Sequence, residues 1–362
     1  MKILCCIDSL GSGGAQRQLI ELAKGFIDKG HEVSFLTYHK IDFFKPELDK
    51  YVITNNTIVE KNYLLRLLKV RKAIRKHKPD VVLSFLEASN FMVTLSGFPF
   101  RKWKLIVGER SANPEILSNI KLRFYRKVHF FADFVVANSH NNIELVKNII
   151  PKIDKNKLKV IYNSVEIPKY NNSLLLKSDI TNIVIAASYR EVKNLDGLID
   201  ALLLISSQYR FKLKINWYGN ISMDNSYYKE QQKKIDHFQL NKVLKLYDQT
   251  KEIKKKYADA DFVGLFSHFE GFPNTICEAM SMGKPVIVSK VSDVPLFIKE
   301  SENGFLCESN NPESIKNALI KAIDSTTLQQ KSMGDKNYYL AKKEFSKKVI
   351  LKQYLKLLQN EK

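Results

Sequence analysis

Short apolar runs alternate along this chain with longer stretches in which apolar positions return at helical spacing. The runs cover 2–9, 31–38, 81–85, 105–107 and 133–137 in the first half, then 182–187, 212–218, 244–247, 261–266 and 286–289 in the second. A run that is apolar at successive positions suits a parallel strand buried on both faces. Helices are predicted from Ala15 to about Gly25, over 61–78, after the cap pair Asn138-Ser139, from about Leu195, from Thr275 to Gly283 and over 345–358. Such alternation predicts an α/β protein of two doubly wound, Rossmann-like domains, with ligands at the carboxyl edge of each sheet. Between 167 and 178, Pro, Asn and Ser mix without a sustained apolar period, which marks the change of domain. The expected division is 1–168, then 169–345, then a terminal amphipathic helix within 346–362. No internal repeat at a solenoid period is evident.

With 362 residues, 44% of them hydrophobic and 27% charged, the chain has room for two domains and the make-up of a folded globular protein. No run reaches the roughly 18 uncharged apolar residues that a spanning helix needs. The start, Met1 to Asp8, is too short and too soon interrupted for a signal peptide. Cys5, Cys6, Cys277 and Cys307 lack zinc or disulfide spacing, so a reducing cytoplasm is expected. A net charge of +20, weighted toward the first half, suits an anionic membrane or nucleic acid; a generally lysine-rich composition is the plainer explanation. No nucleic-acid-binding motif accompanies it. The segment 61–78 carries Lys and Arg with no acid, and Leu64, Leu67, Leu68 and Ile74 fall to one side at helical spacing, with Arg71 interrupting. It reads equally as a membrane-surface helix or as an ordinary helix packing its leucines on the sheet. Cations and rings mix again over 121–131.

Candidate chemistry gathers at predicted carboxyl edges. Gly11-Ser12-Gly13-Gly14 follows the first strand and opens a helix, a turn in which backbone amides can meet phosphate. It misses the dinucleotide fingerprint, since Gln16 stands at the third glycine position, and an NAD site is not expected. Glu109 and Arg110 follow another strand, at the edge where open α/β folds put ligands, and a surface ion pair is equally open. In the second half, Arg190 and Lys193 lie in the turn after 182–187 and suit a diphosphate, or are simply solvated. Glu270-Gly271-Phe272-Pro273-Asn274-Thr275 leads from the strand 261–266 into a helix carrying Glu278. Thr275 is placed as the N-cap, and Thr275-x-x-Glu278 also fits a capping box. Asp259-Ala-Asp261 has the form of a metal-diphosphate motif but precedes its strand, at the wrong edge, so no essential metal or cofactor is expected.

The nine residues from Glu270 to Glu278 resemble the signature of retaining glycosyltransferases of family four, which have the GT-B fold. Gly13 to Arg17, the Arg190–Lys193 turn, Val160 to Val165 and Glu302 to Leu306, read as an Asn-Gly hairpin, are similar to further family segments. Many relatives carry a Gly-Gly pair in the turn that here reads Ser292-Asp-Val-Pro295. The resemblance implies two domains facing across a cleft, with the terminal helix crossing back to the first. It implies a hexosyl transfer from a nucleotide-sugar, most plausibly a uridine diphosphate sugar, to a sugar acceptor. Glu278 would take the ribose hydroxyls and Glu270 the donor sugar, with the amides of Phe272 to Thr275 helping to orient it. Arg190 and Lys193 would steady the leaving diphosphate, with Gly13 and Gly14 beside it, and the 212–219 and 244–250 edges would flank the base. Gln16, Arg17, Glu109 and Arg110 would lie on the acceptor side. Because similar members build lipid-linked oligosaccharide, O-antigen or capsule, a polyprenyl-diphosphate-linked acceptor and peripheral attachment to the inner face of the cell membrane are expected. The rival readings are a nucleotide-sugar epimerase of the same fold and a basic nucleic-acid binder.

Overall fold

The computed structural model describes residues 1–111, 113–170, 178–222 and 225–359. Most of the expected interdomain stretch (171–177), Ala112 beyond the Glu109-Arg110 pair and the end of the terminal segment (360–362) lie outside the described residues. The chain forms two compact units, Met1–Ser164 with Lys347–Lys362, and Val165–Ser346. They part at Ser164, ahead of the Pro168 at which the sequence reading divides the domains.

In the first unit β1 (Lys2–Cys6), β2 (Glu32–Thr37), β3 (Thr54–Thr57), β4 (Val81–Phe85), β5 (Lys104–Glu109), β6 (Phe134–Ala137) and β7 (Leu158–Val160) form one parallel sheet in the order β3-β2-β1-β4-β5-β6-β7. Successive side chains of a strand point to opposite faces. Ile3 and Cys5 therefore join Leu19, Ala23 and Phe26 of the helix Gly14–Asp28 and Ile350 and Tyr354 of the helix Lys347–Gln359 in one core. Leu4 and Cys6 face the other way, toward Val70 and Ile74 of the helix Tyr63–His77 and Val146 of the helix His140–Ile149. The terminal helix thus belongs to the first unit.

The second unit repeats the plan with β8 (Thr181–Ala186), β9 (Leu213–Gly219), β10 (Leu244–Asp248), β11 (Phe262–Leu265), β12 (Val286–Ser289) and β13 (Gly304–Cys307), all parallel, in the order β10-β9-β8-β11-β12-β13. Strand order reverses between β1 and β4 in one sheet and between β8 and β11 in the other. At such a reversal the following loops diverge and leave a crevice at the carboxyl edge.

Four local expectations change. β3 is the polar run Thr-Asn-Asn-Thr, an edge strand whose Asn55 and Thr57 bond to Thr37. Of the leucine stripe, Leu67 and Ile74 turn inward beside Tyr63 and Val70, while Leu64 and Leu68 stand 70% and 60% exposed. The helix Asn274–Ser281 is preceded by Pro273 as N-cap without a side-chain bond, so Thr275 lies inside the first turn and no capping box forms with Glu278. Its hydroxyl reaches Ala186 O at 3.2 Å instead. Glu302 to Leu306 is no hairpin: Gly304 starts β13, which pairs parallel to β12.

The helix Thr327–Glu344 crosses the end of the helix Asn274–Ser281 at two glycines. A Cβ on Gly334 would lie 2.0 Å from the Gly283 carbonyl oxygen, and Gly283 itself has φ +71°. Backbone cannot yield as a flexible side chain does, so Gly334→Ala should destabilise the fold by about 1–3 kcal/mol; an unchanged urea midpoint would show the helices free to separate.

Candidate functional site

The switch point of the second sheet is built from two loops that grip each other. After β8 the chain runs through Ala187 to Arg190, makes a short 3-10 turn over Glu191–Lys193, and enters the helix Leu195–Leu204 through Asn194, whose φ of 62° is left-handed. Asn tolerates that region because its short polar side chain bonds locally. Here Asn194 Oδ1 accepts from Gly197 N at 3.1 Å, and Nδ2 donates to Phe266 O at 3.0 Å and Ser309 O at 2.6 Å. His268 N donates to Val192 O at 2.9 Å, a second tie between the same two loops. On the other side Tyr189 is buried, its hydroxyl hydrogen shared between the carbonyls of Trp217 and Tyr247 at 3.1 and 2.7 Å.

These ties set Lys193 against Glu270. Lys193 Nζ donates to Glu270 Oε1 at 2.5 Å, and Ser267 Oγ donates to the same oxygen at 2.7 Å. Both charged side chains are largely covered, at 17% and 14% exposed. Glu270 Oε2 bonds to none of the described residues. Arg190 sits three positions earlier on the same turn, exposed, with Nε on Ser188 Oγ at 3.1 Å and its terminal nitrogens bonded to none of the described residues. Gly271 to Thr275 follow directly: Ser292 Oγ donates to Gly271 O at 3.0 Å, and Phe272 is buried edge-on against Phe297 and Phe345. Glu278 is half-buried on the helix Asn274–Ser281 and lies near Tyr257, whose phenol is raised first by burial and then by this carboxylate. The solvated alternative therefore fits Arg190 but not Lys193. Asp261 lies at the opposite edge, accepting from Asn182 N at 2.7 Å. Among the described residues no group of His, Cys, Asp or Glu has the arrangement of a metal site.

In the first unit the glycine turn rests on a brace. Asp8 Oδ1 accepts from Ser9 N at 2.7 Å and from Gln16 Nε2 at 2.9 Å, so Gln16 is buried beneath the turn. Gly13 is the N-cap of the helix Gly14–Asp28, and a Cβ there would meet Gln16 Oε1 at 2.2 Å. Gly14 and Arg17 stay exposed. Past β4, Leu86 adopts φ +75°, a rare conformation for such a side chain, directly before the helix Glu87–Ser96.

Glu109 and Arg110 are neither on the surface nor paired with each other. Arg110 lies 3.8 Å over the Phe85 ring and donates to Asn163 Oδ1 at 3.0 Å and to the Tyr354 hydroxyl. Glu109 is fully buried with Arg126, whose Nε and Nη2 each lie 3.1 Å from Glu109 Oε2 and whose Nη2 also reaches Glu87 Oε1 at 2.6 Å. Burial pushes the Glu109 carboxyl up to about 7 against the pull of Arg126. His129 Nδ1 is 3.5 Å from Glu109 Oε1, outside hydrogen-bond geometry, and neither ring nitrogen has a hydrogen-bond partner among the described residues. The sequence assigns no site role to Asp8, Glu87, Arg126, His129, Asn194 or Ser267. Asp8, Glu87, Asn194 and Ser267, polar residues between a strand and the body of the next helix, carried a local signal, whereas Arg126 and His129 did not.

Burial, then the Arg126 charge, push His129 down to about 3. A folded value below the unfolded one gives stability that is whole above about pH 6.5 and lost as pH falls toward 3. Glu109, raised, runs the opposite way, so the test compares two chains that both keep it. His129→Phe should flatten the loss of stability between pH 7 and 4.5 relative to the parent; identical slopes in urea titrations would refute the assignment.

Two family models match the chain in succession: the one described as Glycosyltransferase Family 4 over residues 12–168, and the one described as Glycosyl transferases group 1 over 166–339. Among curated relatives, an uncharacterized glycosyltransferase of Methanocaldococcus jannaschii is 29% identical over 61% of this chain and 59% of its own length. The N-acetylgalactosamine-N,N'-diacetylbacillosaminyl-diphospho-undecaprenol 4-alpha-N-acetylgalactosaminyltransferase of Campylobacter jejuni is 25% identical over 90% of each chain. Among solved structures, Anabaena Alr3699/HepE in complex with UDP superposes with a TM-score of 0.85 over 99% of each chain at 22% identity, a likeness of fold. With both family models placed end to end on the two switch-point sheets, the chain belongs to the group 1/family 4 glycosyltransferases, retaining nucleotide-sugar enzymes of the GT-B fold.

Proposed function

We propose that the chain moves a sugar from a uridine diphosphate sugar onto the glycan of a polyprenyl-diphosphate-linked acceptor at an anionic membrane surface. The observation that carries the donor side is the Lys193–Glu270 pair with its open valences: Glu270 Oε2 for a sugar hydroxyl, Arg190 Nη1 and Nη2 for phosphate oxygens. A fixed cation beside a departing diphosphate stabilises charge that develops only as the glycosidic bond breaks. Lys193 supplies a point charge, while Arg190 can engage two oxygens at once. Glu278, one turn into the helix Asn274–Ser281, is assigned to the ribose. Gly271 to Thr275 orient the sugar between the two acids. Gly13 and Gly14 offer a second phosphate-compatible turn on the first unit, and Gln16, Arg17, Glu109 and Arg110 are its acceptor-side residues. Glu109, buried with Arg126, and Arg110, held by Phe85, Asn163 and Tyr354, are assigned to shaping that side rather than to direct contact.

Retention follows from front-face attack. The acceptor hydroxyl oxygen bonds to the anomeric carbon as the carbon–phosphate oxygen bond breaks, and the hydroxyl proton passes to the departing diphosphate. The uridine base and the acceptor class are supported by relatives: Anabaena HepE was solved with UDP-glucose, and the Campylobacter enzyme is named for a diphospho-undecaprenol acceptor.

The membrane reading is supported by the surface of the first unit. The basic helix Tyr63–His77 exposes Leu64, Leu65 and Leu68. Its Arg71 and Arg75 donate to the carbonyls of Phe98 and Phe100, and the Phe98 ring meets Phe131 at 4.8 Å. Exposed rings and leucines among cations match an anionic interface. Among the described residues no helix is long and apolar enough to cross a membrane.

Arg190→Ala and Lys193→Ala should each lower kcat about 100-fold in a donor-transfer assay; near-normal kcat in both would remove their role. Co-sedimentation with vesicles should rise with the anionic lipid fraction and fall as salt passes about 0.15 M. Indifference to lipid charge would exclude the membrane part alone.

A further inference from the structure

A groove on the first unit plays no part in the reading above. It holds about 620 Å³ and runs along β7, the outermost strand of its sheet, between the helices His140–Ile149 and Lys347–Gln359. Its floor is aliphatic, from Ile143 on one helix through Leu158 and Val160 on the strand to Leu357 on the other. Its rim is cationic, with Lys147, Lys155, Lys159 and Lys356, and no Asp or Glu lines it. Lys147 is paired with Glu144 at 2.7 Å, whereas Lys155, Lys159 and Lys356 form no ion pair with the described residues. The far wall is pinned, because Lys104 Nζ donates to the carbonyls of Leu357 and Leu358 at 3.2 and 2.8 Å.

Like charges set around an apolar floor repel one another while leaving that floor wet; a ligand with an anionic head and a hydrocarbon body relieves both costs. A free polyanion would leave the floor exposed. An added peptide strand finds little to pair with on β7, which is only 3 residues long. The same segment adjoins the exposed aromatic surface: Lys157 Nζ donates to Phe130 O at 3.2 Å and lies 5.8 Å over its ring, next to Phe131. We infer that the groove binds a phosphate-headed lipid, with the lysines on the phosphate and the first part of the hydrocarbon chain along Ile143, Leu158, Val160 and Leu357. A bilayer phospholipid and the diphosphate lipid of an acceptor share that chemistry; the second source rests on the function proposed above.

The test is calorimetric titration of the full chain, with uridine diphosphate present in excess to fill the donor site. The probes are farnesyl diphosphate, inorganic pyrophosphate and dihexanoyl phosphatidylglycerol, each below its micellar concentration. Farnesyl diphosphate should bind about a hundredfold tighter than pyrophosphate, given the hydrocarbon it buries. The double variant Lys155→Glu/Lys159→Glu should weaken it about tenfold or more, with an unchanged thermal midpoint and unchanged transfer to a lipid-free glycan acceptor. If the phospholipid binds as well as farnesyl diphosphate, the source is the bilayer; if only the prenyl diphosphate binds, it is the acceptor; both results uphold the site. Equal affinity for pyrophosphate and farnesyl diphosphate, no binding of either lipid, or full binding by the variant would overturn it. Failure of the glycosyl-transfer reading would show separately, as absent transfer or absent heat from uridine diphosphate.

Discussion

The left-handed Asn194 is the clasp on which the second unit's site depends. Three hydrogen bonds from one small amide fix the start of a helix, the loop after β11 and the backbone at Ser309 together. Only with those segments held does Lys193 stand where Glu270 and Ser267 converge. Parallel sheets make this arrangement available, since every loop at one edge follows a strand and can be aimed at its neighbours. They do not supply the aim, which comes from side chains that leave their own loop and bond to the next.

The first unit solves the same problem with charge rather than an amide. Arg126, itself buried, holds Glu87 after β4 and Glu109 at the end of β5, and so joins two adjacent strand ends. Removing one partner of such a buried group strands the others and typically costs about 3–5 kcal/mol. Arg110, next in sequence to Glu109, points elsewhere and ties the sheet to Asn163 and Tyr354. Neighbouring charged residues at a strand end thus serve two separate packing duties, and their adjacency in sequence says nothing of mutual pairing.

Much of the fold was legible because a strand buried on both faces leaves an apolar run whatever its partners. The run at 2–9 and the run at 261–266 both became central strands for that reason. β3 was missed because an edge strand needs no such run; Asn55 and Thr57 satisfy it through hydroxyl and amide contacts. The leucine stripe of the helix Tyr63–His77 was misjudged because spacing alone admits two overlapping faces, and Tyr63 and Val70, not Leu64 and Leu68, found the core. At the site, residues within one turn could be grouped, so Glu270 to Glu278 and Arg190 to Lys193 stood out. Arg126 could not be paired with Glu109, nor His129 placed beside it, since those approaches exist only once β5 and the helix Ile120–Lys127 have packed.

The helix Lys347–Gln359 fills the first unit's core with Ile350, Tyr354, Leu357 and Leu358, although the whole second unit precedes it in the chain. A ribosome therefore releases the first sheet before the helix that completes this core, and the surface that Ile350, Tyr354, Leu357 and Leu358 cover waits in water until that late segment arrives. Vectorial folding, one domain after another, cannot finish the first domain first. Nascent chains of this protein therefore spend most of translation with that half's core incomplete.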